Sequence, residues 1–359
     1  MKMRYNFILR NITSHVLTII AWFFPLALVS LICKDLPDTD IYIAYRTGNF
    51  FTYVMIVSVL LGSVHWLLNK FTDIPAIRRL SLSLILGIRI VAFLFIIALY
   101  DFLDIMTIFD ENFALVTKKI NLQYITTSQF LSTVAFFLFI DTIYGWFYQI
   151  RTIFGKTMFR NLLIGKYRTP RAEKRIFMFI DMKDSTAHAE KLGHVKFTRL
   201  IQECFRDFGV IAQKRDVDIY QYIGDEVVVS WWIKSGTREQ NCLRLFFEFR
   251  NKLQKSWPEY QRKYNVKPVF KAGIHSGYVT IAEIGLYKRG IEYLSDVLNT
   301  AARIQGMCNQ YHADLLISGD VYEYFSEIPY FRMKEIQNVQ LKGKQQKVQI
   351  YSVEQKVQR

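Results

Sequence analysis

Four long and nearly charge-free apolar blocks occupy the first 150 residues, and no other feature limits the architecture of this chain as much. They run over about 16–33, 50–68, 82–103 and 126–150. Each approaches or exceeds the roughly 20 apolar residues that cross a bilayer as a helix. A buried bundle in a soluble protein is the alternative, but four such blocks would overfill so small a core. A signal peptide fits the first block poorly, because no small-residue cleavage site follows it and three more blocks do. The expectation for 1–150 is an α-helical domain of four transmembrane helices embedded in a lipid bilayer.

Lys and Arg in the short connections orient these spans. Lys2, Arg4 and Arg10 precede the first, Lys70, Arg78 and Arg79 follow the second, and Arg151, Lys156, Arg160 and Lys166 follow the fourth. The other two connections mix Lys34, Arg46, Lys118 and Lys119 with six acidic residues. Both termini are therefore expected inside, with the remainder of the chain cytoplasmic. Charge divides accordingly: residues 1–150 hold 11 Lys and Arg against 9 Asp and Glu, and residues 151–359 hold 35 against 22. Of the formal net charge of +15, +13 belongs to the second half.

Arg89 and Asp141 lie inside the third and fourth blocks at similar depth. Either they pair in a polar cavity or Arg89 snorkels toward the inner interface. Pro25 predicts a kink in the first span. His15 and His65 read as interfacial residues without a ligand pattern. Residues 151–172 form a basic connector, interrupted by Gly155, Gly165 and Pro170, which suits contact with anionic lipid and transmission of rearrangement. Such charge also serves nucleic acids, but no zinc finger, helix-turn-helix signature or RNA-binding aromatic motif accompanies it, so no nucleic-acid partner is expected.

From residue 173 to 359 the texture is that of a soluble α+β domain. RIFMFID reads as a buried strand, followed by a helical stretch to about Ala212. DIYQYIGDEVVVSWW reads as a hairpin turning at Ile223-Gly224-Asp225-Glu226. A helix over 238–264, strands over 269–275 and 278–284, a helix from about Ser295, and strands at 314–318 and 348–353 complete the reading. Asp181 ends one strand and Asp225 sits in the hairpin turn. Neighbouring strands would place both carboxylates at one sheet edge, an arrangement suited to Mg²⁺ that also binds phosphates. Spacing alone leaves both as an ordinary strand-end and turn aspartate.

FIDMKDST around Asp181, YQYIGDEV around Asp225, AGIHSGYV at 272–279 and DVLNTAARI at 296–304 occur in the order seen in class III adenylate/guanylate cyclases. The chain resembles a bacterial membrane-bound member of that family over about 173–355. The resemblance implies a ferredoxin-like βαββαβ core, and two Mg²⁺ or Mn²⁺ ions on Asp181 and Asp225. It also implies phosphate cradling by Lys183, Ser185, Thr186 and backbone N–H groups around Met182–Thr186. Asn299 and Arg303 would be catalytic, stabilising the transition state from the opposite subunit of a head-to-tail homodimer. Lys342 matches a phosphate-contacting lysine. The site would form a 3′,5′-cyclic nucleotide and pyrophosphate from a nucleoside triphosphate, in a multi-pass protein of the bacterial inner membrane.

Base choice departs from the family. The positions that select the purine are Gln221 and Glu292 in place of a Lys/Asp pair for adenine or a Glu/Cys-type pair for guanine. Gln donates or accepts, whereas an ionised Glu292 accepts from an exocyclic amine such as adenine N6. ATP, giving cyclic AMP, is the expected substrate. CTP, UTP or GTP are alternatives, as is a non-catalytic nucleotide-binding receptor. Cys33, Cys204, Cys242 and Cys308 read as free thiols, and Trp231 and Trp232 as core or interface residues.

Overall fold

The computed structural model describes residues 2–32, 50–72, 128–287, 289–325, 330–340 and 347–356, with short stretches between 74 and 95. The chain divides into two compact units, Met1–Ile153 and Phe154–Arg359.

In the N-terminal unit, α1 (Lys2–Ile32), α2 (Phe50–Thr72) and α3 (Ser128–Phe154) carry the first, second and fourth apolar blocks. The third is helical at 83–85, 87–92 and 94–95, and 96–103 lies outside the described residues. Among the described residues one helical segment, Val54–Phe71, is long and apolar enough to cross a membrane; Ile12–Leu28 and Ser83–Ala92 are shorter apolar helices. Four complete spans are thus not present among the described residues, partly because the third block extends beyond them. Trp22 and Leu26 of α1 pack against Val54 and Leu61 of α2, with Leu138, Ile140 and Tyr144 of α3 against them. Leu17, Phe24, Leu28, Phe51, Met55 and Leu67 point outward and are exposed. Apolar side chains thus lie both inside this unit and on its outer surface.

Arg89 and Asp141 pair, and each is only 4% exposed. Arg89 Nε and Nη2 donate to the two Asp141 carboxylate oxygens at 3.2 and 3.0 Å, and Nη1 donates to Asn69 Oδ1 at 2.7 Å. Snorkelling is thereby excluded in favour of pairing. His65 departs from its interfacial reading: it is buried, and its Nδ1 lies 2.5 Å from Asp141 Oδ1. A histidine on an apolar helix carries no sequence mark of such a partner, because the partner comes from another helix. His15 bonds Ser63 Oγ at 2.9 Å and tilts against Trp66.

The C-terminal unit opens with α4 (Lys156–Leu163), separated from α3 by Gly155 in a positive-φ conformation. It continues through β1 (Arg171–Met182), α5 (Ser185–Leu192), α6 (His194–Ala212), β2 (Asp218–Ile223), β3 (Glu226–Trp232), α7 (Ile233–Thr237), α8 (Asn241–Tyr264), β4 (Phe270–Ile284) and β5 (Gly290–Leu294). Then follow α9 (Asp296–Gly306), β6 (Leu315–Ser318), α10 (Gly319–Tyr322), β7 (Phe331–Gln340) and β8 (Lys347–Gln355). The sheet order is β2-β3-β1-β4-β6-β8-β7, with β5 pairing β4. All pairings are antiparallel except β4 with β6. The first four strands and the helices between them form the expected βαββαβ core.

Strand alternation decides what lies on each face. Ile176, Met178, Ile180 and Met182 of β1 face α6 and α8, packing with Leu200, Phe208, Phe246 and Phe249. Phe177 and Phe179 face the other way, with Val228, Tyr293, Ala301 and Tyr167. Both faces are covered, which is why β1 reads as one continuous apolar run.

Several local expectations change. The 269–275 and 278–284 strands are one strand, because Ser276 and Gly277 continue the pairing with β1. The helix expected up to Ala212 breaks at Gly193, whose φ is +73°. The helix expected from 238 begins at 241, because Glu239 and Gln240 adopt positive φ. The short β5 and the polar β7, whose alternation breaks where its register with β8 shifts, were not anticipated; their pairing partners supply the pattern that their own residues lack.

Candidate active site

Asp181 is the penultimate residue of β1, directly opposite Glu226 of β3 on one side and Lys271 of β4 on the other. Asp225 occupies the two-residue turn between β2 and β3, where Gly224 takes a φ of +60°. Tight hairpin turns need such backbone, and glycine adopts it without a Cβ penalty. The turn brings the Asp225 carboxyl to that of Asp181. Burial, followed by hydrogen bonding and repulsion from Asp225, lifts the Asp181 carboxyl to about 6. Burial lifts Glu226 to about 7, with Asp181 and Asp225 adding to the shift.

Gln305 Nε2 donates to Asp181 Oδ2 at 3.1 Å, and Lys271 Nζ lies 3.9 Å from the same oxygen. Asp225 Oδ2 is buried without a hydrogen-bond partner. An orphaned carboxylate oxygen beside a second carboxyl group is what a hard divalent cation satisfies, so the residues present fit Mg²⁺ or Mn²⁺. Among the described residues no three His, Cys, Asp or Glu side chains form a ligand cluster. A cation would therefore rest on the two aspartates and on substrate oxygens, the usual Mg²⁺ arrangement.

Helix α9 carries Asn299 and Arg303. Ser295 caps it, accepting from Val297 N at 3.2 Å and donating to Tyr278 O at 2.9 Å. The helix lies almost on the backbone of β4. A Cβ on Gly273 would stand 2.2 Å from Gln305 N, and one on Gly277 would stand 2.6 Å from Val297 Cγ2. Asn299 is exposed and Arg303 half-buried. The residue of α9 that hydrogen-bonds Asp181 is Gln305.

Lys183 and Thr186 are exposed and Ser185 half-buried, at the start of α5. The backbone N–H of Lys183 donates to Val269 O at 2.9 Å, which removes it from the expected phosphate cradle. Helix α5 has no side-chain cap, and its first internal bond runs from His188 N to Asp184 O. The N–H groups of 185–187 therefore remain available to an anion. Gln221 of β2 and Glu292 of β5 are exposed, and Glu292 accepts a hydrogen bond from Tyr220. Lys342 lies outside the described residues. Glu226, Lys271, Gln305 and Tyr220 received no role from the sequence, although Tyr220 and Glu226 lie inside the YQYIGDEV motif and Lys271 and Gln305 adjoin two others. Cys204, Cys242 and Cys308 are buried free thiols.

Comparison with known proteins gives a match to the adenylate and guanylate cyclase catalytic domain over residues 168–355. Adenylate cyclase 2 of Rhizobium meliloti (strain 1021) is 29% identical over 205 residues, 57% of this chain and 56% of that protein. An adenylate cyclase of Anabaena cylindrica is 24% identical over 196 residues, 54% of this chain and 38% of that one. The chain thus spans about half, or less, of the curated relatives it matches. A bacterial light-regulated adenylyl cyclase of known structure aligns with a TM-score of 0.54 at 17% identity, covering 65% of this chain and 68% of that one.

Proposed function

Since the chain belongs to the adenylate and guanylate cyclase catalytic domain family, we propose that it converts ATP to 3′,5′-cyclic AMP and pyrophosphate. The observation that carries this reading is the Asp181–Asp225 pair with its orphaned buried oxygen. The similarity to two adenylate cyclases favours ATP.

Asp181 and Asp225 would hold two divalent ions, whose chemistry would be to activate the ribose 3′-oxygen and to neutralise charge on the pyrophosphate. Lys183, Ser185, Thr186 and the N–H groups opening α5 hold the triphosphate, with Lys342 as a further phosphate contact. Asn299 and Arg303 meet the charge that develops in the transition state. The family resemblance implies that they act on the pair of a second copy, giving a homodimer with two composite sites. Gln221 and Glu292 read the base. The N-terminal unit anchors the enzyme as a multi-pass protein of the bacterial inner membrane. The outward apolar side chains of its helices support that reading. The proposed organisation is a transmembrane domain over 1–150, a connector over 151–172 and a catalytic domain over 173–359.

The test is incubation of the purified full chain with ATP, GTP, CTP or UTP and Mg²⁺ or Mn²⁺, with products identified by mass. Cyclic AMP as the main product supports the proposal. A different cyclic nucleotide replaces the substrate but keeps the chemistry. No cyclic product from any nucleotide overturns the enzyme reading.

A further inference from the structure

Strand β2 contains an irregularity that matters for the base. Its pairing with β3 shifts between Ile219 and Gln221, leaving Tyr220 as the extra residue. A bulge of this kind re-aims side chains. Gln221 lies opposite Val228, whose side chain belongs to the cluster on the α9 face, and Tyr220 packs against that same cluster. Two consecutive residues thus share a face that regular alternation would divide between them.

The Tyr220 hydroxyl donates to Glu292 Oε2. Its ring meets Tyr293 edge-on at 4.8 Å, and Tyr293 meets Phe177 in the same way at 5.1 Å. Behind Tyr293 stands the Arg175 guanidinium, 5.4 Å from the ring centre and 4.6 Å from that of Trp232. Arg175 is 1% exposed, and it donates to Glu173 at 3.2 Å, Ser230 at 2.9 Å and Asp218 at 3.3 Å. The phenol is therefore held from behind by a buried and fully engaged stack, while its hydroxyl reaches the surface where Glu292 is exposed.

A phenol has a single hydrogen to donate. Once given to Glu292 Oε2, it fixes the carboxylate and leaves Oε1 and the phenol lone pairs as acceptors. Such an array matches an exocyclic amine and repels a carbonyl oxygen. We propose that Tyr220 is a positioning residue for base selection, holding Glu292 as the acceptor for the exocyclic amine of the substrate base. The inference rests on the reading that Glu292 faces the base. Adenine carries an amine where guanine carries O6, so Tyr220 sharpens the preference for ATP over GTP.

Steady-state kinetics of the purified full chain with ATP and GTP test this in Tyr220→Phe, Glu292→Gln and the double variant. Tyr220→Phe keeps the ring and its packing. Loss of one hydrogen bond to a charged group predicts a KM for ATP raised about tenfold with kcat within about threefold. The ATP-over-GTP ratio of kcat/KM falls by about the same factor, and the double variant is no worse than Glu292→Gln, because the two residues act as one unit. If Glu292→Gln loses the preference and Tyr220→Phe retains it, the positioning role is overturned while the base reading stands. If Glu292→Gln retains the preference, the base reading fails and the proposal with it. An equal loss of kcat with both nucleotides, together with a lowered Tm, makes Tyr220 merely structural and overturns the proposal.

Discussion

Arg89 in the N-terminal unit is satisfied on several sides: both Asp141 oxygens accept from it, Asn69 accepts a third bond, and His65 closes the cluster. In the C-terminal unit, Asp181 and Asp225 face one another with Glu226 beside them. Lys271 stands 3.9 Å away, and one Asp225 oxygen has no hydrogen-bond partner among the described residues. The first cluster balances its own charge; the second gathers carboxyl groups in excess, and burial, with the neighbouring carboxyls adding to it, pushes Asp181 up to about 6 and Glu226 up to about 7. A closed cluster serves packing, since a lone buried ion is costly and pairing offsets much of that cost. An open cluster awaits a ligand. Buried charge alone does not mark a functional site; the imbalance does.

The largest expected effect breaks the open cluster. Asp225→Asn should lower cyclic-nucleotide formation by about 10³-fold or more, the scale on which one charge-stabilising group contributes to catalysis. Its Tm should hold or rise, because repulsion with Asp181 is relieved. Activity that survives this change would remove the distinction between the clusters.

Breaking the closed cluster should do the opposite. Asp141→Leu leaves Arg89 buried and unpaired, at a cost of about 3–5 kcal/mol in unfolding of the detergent-solubilised protein. Adding Arg89→Met should recover most of that loss, and strictly additive effects would show that the pair is not coupled.

Smaller effects sharpen the comparison within the C-terminal unit. Gly273→Ala forces a Cβ against the α9 backbone, and overpacking of this kind costs about 1–3 kcal/mol. Activity should fall as well, since α9 carries Asn299 and Arg303; thermal unfolding and product formation report the two losses separately. Ser295→Ala removes the α9 cap for about 1 kcal/mol, with a small change in Tm as the readout.

Much of this was legible in the chain itself. Continuous apolar runs without charge can only be buried or lipid-facing, so the N-terminal helices and β1 were visible from composition along the sequence. The Gly224-Asp225 turn was visible because few residues fit tight hairpin backbone. Four motifs in order gave the family resemblance and with it the candidate metal pair. By contrast the alternation of β7 breaks at Glu335–Asn338, where its register with β8 shifts, so no sustained strand pattern marks it until β8 pairs with it. Gln305 and Lys271 are unremarkable on their own elements and gain meaning only from the Asp181 beside them.

Residue types and local periodicity, then, determined two dissimilar halves, the βαββαβ order of elements and the positions of Asp181 and Asp225, because these follow from short-range sterics and from where apolar side chains can go. Only the tertiary structure decided which charges meet. It joined Asp141 to Arg89 and to His65, turned Tyr220 onto Glu292 through a bulge, and set α9 down on two glycines. Those partners are 52, 76 and 72 residues apart, and nothing in a residue's neighbours along the chain records what the fold will place against it.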